Sequence, residues 1–196
     1  VDKKLKSLAV LSATSGAGKS TVAANLAVTF TLQGNQVLLV ACDLRRPSVH
    51  REFGIHNEEG LTNLLANHVG KGLDDYLHTC AVPGLSILTG GPVPPNPAEL
   101  LSSNRMKQLE KDTAERFDLV IYDTPPLLGF TDAQILAGRV DGNIFVVHYE
   151  EDTKEDVLKA SESLKMVNAN VLGVVYNRVP GGQKEHSYYY GYKDEE

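Results

Sequence analysis

Six short apolar runs punctuate the chain: Leu8–Leu11, Gln36–Val40, Leu85–Leu88, Leu119–Tyr122, Ile144–His148 and Val171–Tyr176. They are rich in Val, Ile and Leu, as strands buried on both faces are. Between them fall patterns of helical spacing: Lys19–Gln33, Leu61–Asn67, Ala98–Leu101, Met106–Arg116, Thr131–Gly138 and Thr153–Val167. The alternation predicts an α/β fold, a mostly parallel β-sheet flanked by helices on both faces. In the first helical stretch Val22, Leu26 and Phe30 recur at i, i+4 and i+8 and predict its apolar stripe. Thr89–Pro97, TGGPVPPNP, is expected to be a loop, because its prolines lack donors and bias the preceding residues away from helix. In such sheets ligands sit at the carboxyl ends of strands, so chemistry is sought just after each run.

After the first run comes Ser12–Thr21, SATSGAGKST, which leads into the first helix. Strand, glycine turn and helix are the setting that a phosphate-binding loop requires. Gly16 and Gly18 let the backbone turn close to an anion, and the helix N-terminus favours negative charge at the same spot. Ser15, Gly16, Ala17, Gly18, Lys19, Ser20 and Thr21 are therefore the candidate nucleotide-binding residues, with Lys19 reaching the outer phosphates and the Ser20 hydroxyl a ligand for Mg²⁺. The general pattern G-x-x-x-x-G-K-[ST] has glycine where this chain has Ala13.

Three further strand ends carry candidates. Asp43, in ACDLRR, can face the metal directly or through water. Arg45 and Arg46 either neutralise phosphate or pair with surface acids, the commoner use of a single arginine. Asp123 closes LVIYD, and a carboxylate ending a buried strand needs a cation or a hydrogen-bond network to offset desolvation. Mg²⁺ held near Ser20 would meet that need. Asn177 and Arg178 close the last run, where an asparagine amide has both the donor and the acceptor to read an adenine edge.

Composition narrows the choice. A chain of 196 residues, 42% hydrophobic, fits one globular domain over 1–182 with a polar tail over 183–196. A net charge of −6 argues against a general nucleic-acid binder. No apolar run approaches membrane-spanning length. Two cysteines, Cys42 and Cys80, are too few for a disulfide framework, and the six histidines lack metal-ligand spacing. The first residue is Val rather than Met, so some natural N-terminus is expected to precede it. The tail holds SYYYGY, whose consecutive rings give no single buried face and read as accessible phenols.

Taken together, SGAGKST, CDLRRP, GPVPPNPAELL, LVIYDTPP and the terminal tyrosine cluster resemble the bacterial tyrosine kinases of the CpsD/CapB type, which regulate capsular and exopolysaccharide synthesis. The resemblance runs through nearly the whole chain. The wider class, the MinD/ParA-like P-loop NTPases with a deviant Walker A loop, carries a signature lysine where this chain has Thr14. The resemblance implies ATP and Mg²⁺ as cofactors, with Lys19 on the phosphates and Ser20, Asp43 and Asp123 around the metal. It implies that Tyr188, Tyr189, Tyr190 and Tyr192 are phosphoacceptors, modified largely in trans within a homo-oligomeric ring. The implied partners are a separate membrane-anchored activator protein and a cognate tyrosine phosphatase, which puts the protein in the cytoplasm at the inner face of the membrane. Two departures stand out. The family's D-x-D-L-R motif reads Ala41-Cys42-Asp43-Leu44-Arg45, so the aspartate thought to act on the incoming phenol is a methyl group. Severely reduced tyrosine phosphorylation, with ATP binding kept, is the expectation. The E-x-x-R-x-x-R helix that usually precedes the first strand and knits the ring is absent from these residues. The alternative function is a MinD/ParA-like ATPase switch that phosphorylates no protein.

Overall fold

The computed structural model describes residues 5–66 and 70–180. The end of the helical stretch at Asn67 and the tail over 183–196, with Tyr188, Tyr189, Tyr190 and Tyr192, lie outside the described residues.

Seven strands form one sheet: β1 (Ser7–Ser12), β2 (Val37–Ala41), β3 (Leu77–Thr79), β4 (Leu85–Leu88), β5 (Leu119–Asp123), β6 (Gly142–His148) and β7 (Val171–Asn177). Their order across the sheet is β3-β4-β2-β5-β1-β6-β7. All neighbours pair in parallel except β3 with β4. The central strands β1, β2 and β5 are buried nearly throughout, which is why they read as unbroken apolar runs. β7 closes one edge, and its exposed side chains include Leu172 and Val174.

One face of the sheet is covered by α1 (Lys19–Leu32) and α2 (Val49–Glu52). The other is covered by α3 (Leu61–Ala66), α4 (Pro97–Ser102), α5 (Asn104–Arg116), α6 (Asp132–Ala137) and α7 (Lys154–Met166). Residues alternate strictly between the two cores along β2: Val37, Leu39 and Ala41 face α1, while Leu38, Val40 and Cys42 face the other helices. Capping fits the sequence, since Ser103 accepts from Met106 N, and Thr153 with Asp156 forms a capping box on α7.

One expectation about the elements needs correcting, and three short elements were not expected at all. The face of α1 on the sheet is Ala23, Ala27 and Thr31, while Val22, Leu26 and Phe30 are only half-buried at its flank. Small side chains let the helix backbone approach the sheet closely, and the larger ones then cover the margin. The short α2, a 3₁₀ turn at Leu73–Tyr76 and the antiparallel β3 carry too few residues for periodicity to reveal. The proline-rich loop is ordered at its start, where Asn57 both donates to Gly91 O and accepts from Gly91 N. Among the described residues no helix is long and apolar enough to cross a membrane.

Candidate active site at the strand ends

The carboxyl ends of β1, β2 and β5 open into a cleft of about 650 Å³. Its floor begins with the glycine turn after β1. Gly16 and Gly18 have φ of 82° and 87°, a region closed to most side chains. A Cβ at Gly18 would also press on the Asn177 amide, which would have to swing away from its bond to Ala17. Ala13, by contrast, has no left-handed backbone and packs its methyl fully into the core, so the first glycine of the general pattern is dispensable here.

The structure brings Ser15, Gly16, Gly18, Lys19, Ser20 and Thr21 to the cleft wall. Asp43 and Arg178 join them from β2 and β7. Ala17, Ala41 and Asp123 are buried and, with the half-buried Asn177, do not line the cleft. Asn177 donates from Nδ2 to Ala17 O at 2.8 Å, tying the end of β7 to the back of the phosphate loop.

Lys19 is nearly buried, and desolvation pulls its ammonium below the ordinary range against the opposing pull of Asp123, Asp43 and Asp152. A desolvated cation on a wall of backbone amides is primed for a polyanion. Asp123 is fully buried, and burial lifts its carboxyl to about 7, with Asp43 and Glu52 adding to the rise and Ser20 and Lys19 opposing it. Ser20 Oγ donates to Asp123 Oδ2 at 2.7 Å, while Asp123 Oδ1 is buried with no hydrogen-bond partner among the described residues. Such an orphaned carboxylate oxygen is costly unless a cation completes it. The donor set of hydroxyl and carboxylate oxygens, with Asp43 nearby, suits a hard divalent ion such as Mg²⁺. Asp43 itself is oriented by its own loop, accepting on Oδ1 from Arg45 N at 3.2 Å and Arg46 N at 3.0 Å.

Ala41 stands beside this group. It is the register partner of Asp123, so both side chains point to the α1 face, and it is 1% exposed. Arg45 takes the second of its two readings, but with a buried rather than a surface acid. Its guanidinium donates twice to Asp132, at 2.7 and 3.2 Å.

Several neighbours were not legible from the sequence. Ser48 Oγ donates to Ser20 Oγ at 2.7 Å, and Thr21 Oγ1 donates to Glu52 Oε1 at 3.0 Å, so the segment that ends in α2 closes one side of the loop. Thr14 Oγ1 donates to Asp152 Oδ1 at 2.5 Å, and Asp152 is fixed in turn by His148 N. These pairs join residues far apart in the chain, and only the order RRPS after β2 hinted that a hydroxyl follows the arginines.

A mostly parallel sheet with a glycine-rich loop before α1, a carboxylate just after β2 and another ending β5 is the architecture of a ParA-like P-loop NTPase. The ParA family model, described as NUBPL iron-transfer P-loop NTPase, matches residues 4–187. Within that class the similarity is to tyrosine kinases. The chain is 43% identical over 194 residues to tyrosine-protein kinase YwqD of Bacillus subtilis (strain 168), covering 99% of this chain and 81% of that protein. It is 36% identical over 194 residues to the putative tyrosine-protein kinase CapB of Staphylococcus aureus, covering 99% and 84%. The solved kinase domain of Escherichia coli tyrosine kinase ETK superposes with a TM-score of 0.86 at 32% identity, covering 97% of this chain and 74% of that one. The chain belongs to the bacterial tyrosine kinase family, in a class that binds a nucleotide with a divalent metal.

Proposed function

We propose that this protein is an ATP-dependent protein-tyrosine kinase whose acceptors are its own C-terminal tyrosines, Tyr188, Tyr189, Tyr190 and Tyr192, presented largely by neighbouring copies. Its output, by resemblance, is control of capsular or exopolysaccharide synthesis and export. A membrane-anchored activator would hold it at the inner face of the cell membrane, and a cognate tyrosine phosphatase would reset it. The observation that carries the reading is the Lys19, Ser20 and Asp123 group, with an unpartnered oxygen on Asp123 beneath the phosphate loop.

ATP with Mg²⁺, when bound, supplies the phosphoryl group and neutralises the charge that develops as it moves. The chain's own residues bind and orient. Amides of Gly16 to Thr21 and the desolvated Lys19 ammonium grip the phosphates, while Ser20, Asp43 and Asp123 hold the metal. Asn177 braces the loop from behind, and Arg178 adds positive charge at the cleft wall. Ala41 cannot accept a proton or orient a phenol whose ordinary pKa is about 10. Transfer to tyrosine is therefore slow in this chain, while nucleotide binding, which needs none of Ala41, is kept. Thr14 in place of the signature lysine, engaged with Asp152 of the same chain, disfavours the alternative of a switch ATPase.

The test is Ala41→Asp. Mass spectrometry of the tail after incubation with ATP and Mg²⁺ is expected to find phosphorylation raised on the order of 10²-fold or more, the usual worth of a positioned base. A new carboxylate beside Asp123 also repels it, so the same variant should lose stability without metal and regain it with Mg²⁺. Unchanged tail phosphorylation in a variant that still binds nucleotide would refute the role given to position 41.

A further inference from the structure

On one side the phosphate cleft turns apolar. Pro126, Leu128 and Phe130, from the loop between β5 and α6, line it there. Phe130 remains 38% exposed, yet it is held in place. The Arg45 guanidinium lies over its ring, 4.2 Å from the centroid. Arg45 is itself fixed by its two hydrogen bonds to Asp132, which is 1% exposed in the first turn of α6. The start of the loop is tied down as well, since Leu127 N and Leu128 N donate to Ser12 O and Ala13 O. A buried carboxylate, a planar cation and a phenyl ring thus form a stack that presents aromatic surface at the edge of a charged cleft. Phosphates and a metal ion have no use for that ring, which offers them neither a donor nor a charge. A second aromatic ring does, whether the phenol of an acceptor or the adenine of the nucleotide, and saturating the protein with ADP separates the two.

We infer that Phe130, backed by Arg45 and Asp132 and flanked by Leu128, is the shelf on which the ring of the acceptor tyrosine lies. This rests on the tyrosine kinase reading above and names what that site selects: an acceptor with a ring behind its hydroxyl. The occupant is the tyrosine segment SYYYGY of another copy of this chain. Serine and threonine carry the same hydroxyl but no ring, so the shelf discriminates against them before chemistry begins. The fixed stack means little side-chain freedom is lost when the phenol docks.

The test uses the whole chain saturated with ADP and Mg²⁺, titrated into a labelled peptide of residues 187–196, SYYYGYKDEE. Phe130→Ala is expected to weaken peptide binding about 2- to 12-fold, the range of an aromatic pair. Phe130→Tyr should restore it, and the affinity of Phe130→Ala for ADP with Mg²⁺ should stay within about twofold of the unaltered chain. A peptide with all four tyrosines replaced by Phe should bind nearly as well as the parent, and one with Ser in their place should not. Equal peptide binding by Phe130→Ala, or a parallel loss of nucleotide and peptide, would overturn the shelf while leaving the kinase reading intact. Absence of peptide binding by the unaltered chain would overturn it too. The kinase reading fails separately, through the tail phosphorylation of Ala41→Asp.

Discussion

At the scale of single residues, Asp123 carries the sharpest tension in the molecule. Its carboxyl is fully buried, Ser20 is its one hydrogen-bond donor among the described residues, and its pKa is pushed up to about 7 from an ordinary 3.8. In metal-free protein the consequence for stability has a definite sign. Between pH 4 and 7 the folded chain keeps a proton that the unfolded chain has released, so this group's contribution is complete below pH 4 and is lost as pH rises through 7. Asp123→Asn keeps an acceptor for Ser20 and cannot ionise. Without metal, it is therefore expected to be more stable than the parent at pH 8, with the advantage shrinking toward pH 5, as denaturant melts at several pH values would record. A constant difference across that range would show that Asp123 is ionised and satisfied even without metal. Nucleotide binding should respond in the opposite sense, since Asn offers no charge to the metal, and the variant should lose most of its Mg²⁺-dependent affinity.

At the scale of elements, α1 shows how a motif can be right while the packing around it is misjudged. The glycine turn and the helix after it were legible, because contiguous residues specify them. The buried face was not, because Val22, Leu26 and Phe30 are the larger apolar residues, yet closeness to the sheet selects Ala23 and Ala27. Ala27→Leu is accordingly expected to cost about 1–3 kcal/mol by overpacking, measurable as a lowered urea midpoint. Had the large stripe faced the sheet, this substitution would be nearly neutral. The same distinction governs the rest of the fold. Central strands announced themselves because burial on both faces demands unbroken apolar runs, whereas β3 and α2 are too short to show a period. At the candidate site, Lys19, Ser20, Asp43 and Asp123 could be proposed from the sequence because each sits in a local motif at a strand end. Ser48, Glu52, Asp132 and Phe130 were not, because what matters about them is contact with residues distant in sequence, and pattern alone does not encode that.

At the scale of the whole molecule, the question is which copy of the chain a tail serves. Near the last described residues, Asn177 is pinned to Ala17, and Arg178, on the wall of the same cleft, has a left-handed backbone with φ of 58°. From there the first phenol of the tail is Tyr188, and ten residues of extended chain span at most about 36 Å. Reach therefore does not forbid a chain from serving itself, and loop closure over such a length is not prohibitive. What separates the two routes is their dependence on concentration: a chain that serves itself labels at a rate per chain that dilution leaves unchanged, whereas chains that serve one another slow as they are diluted. Transfer between copies then predicts a specific result for a mixture of two variants. One carries Lys19→Met with its tail intact. The other carries Ala41→Asp with all four tail tyrosines replaced by Phe. Neither should label itself, and phosphate should appear on the Lys19→Met tail only when the two are combined, at an initial rate that rises with the concentration of each. An unlabelled mixture, given an Ala41→Asp chain with a natural tail that does label, would mean that each chain serves itself.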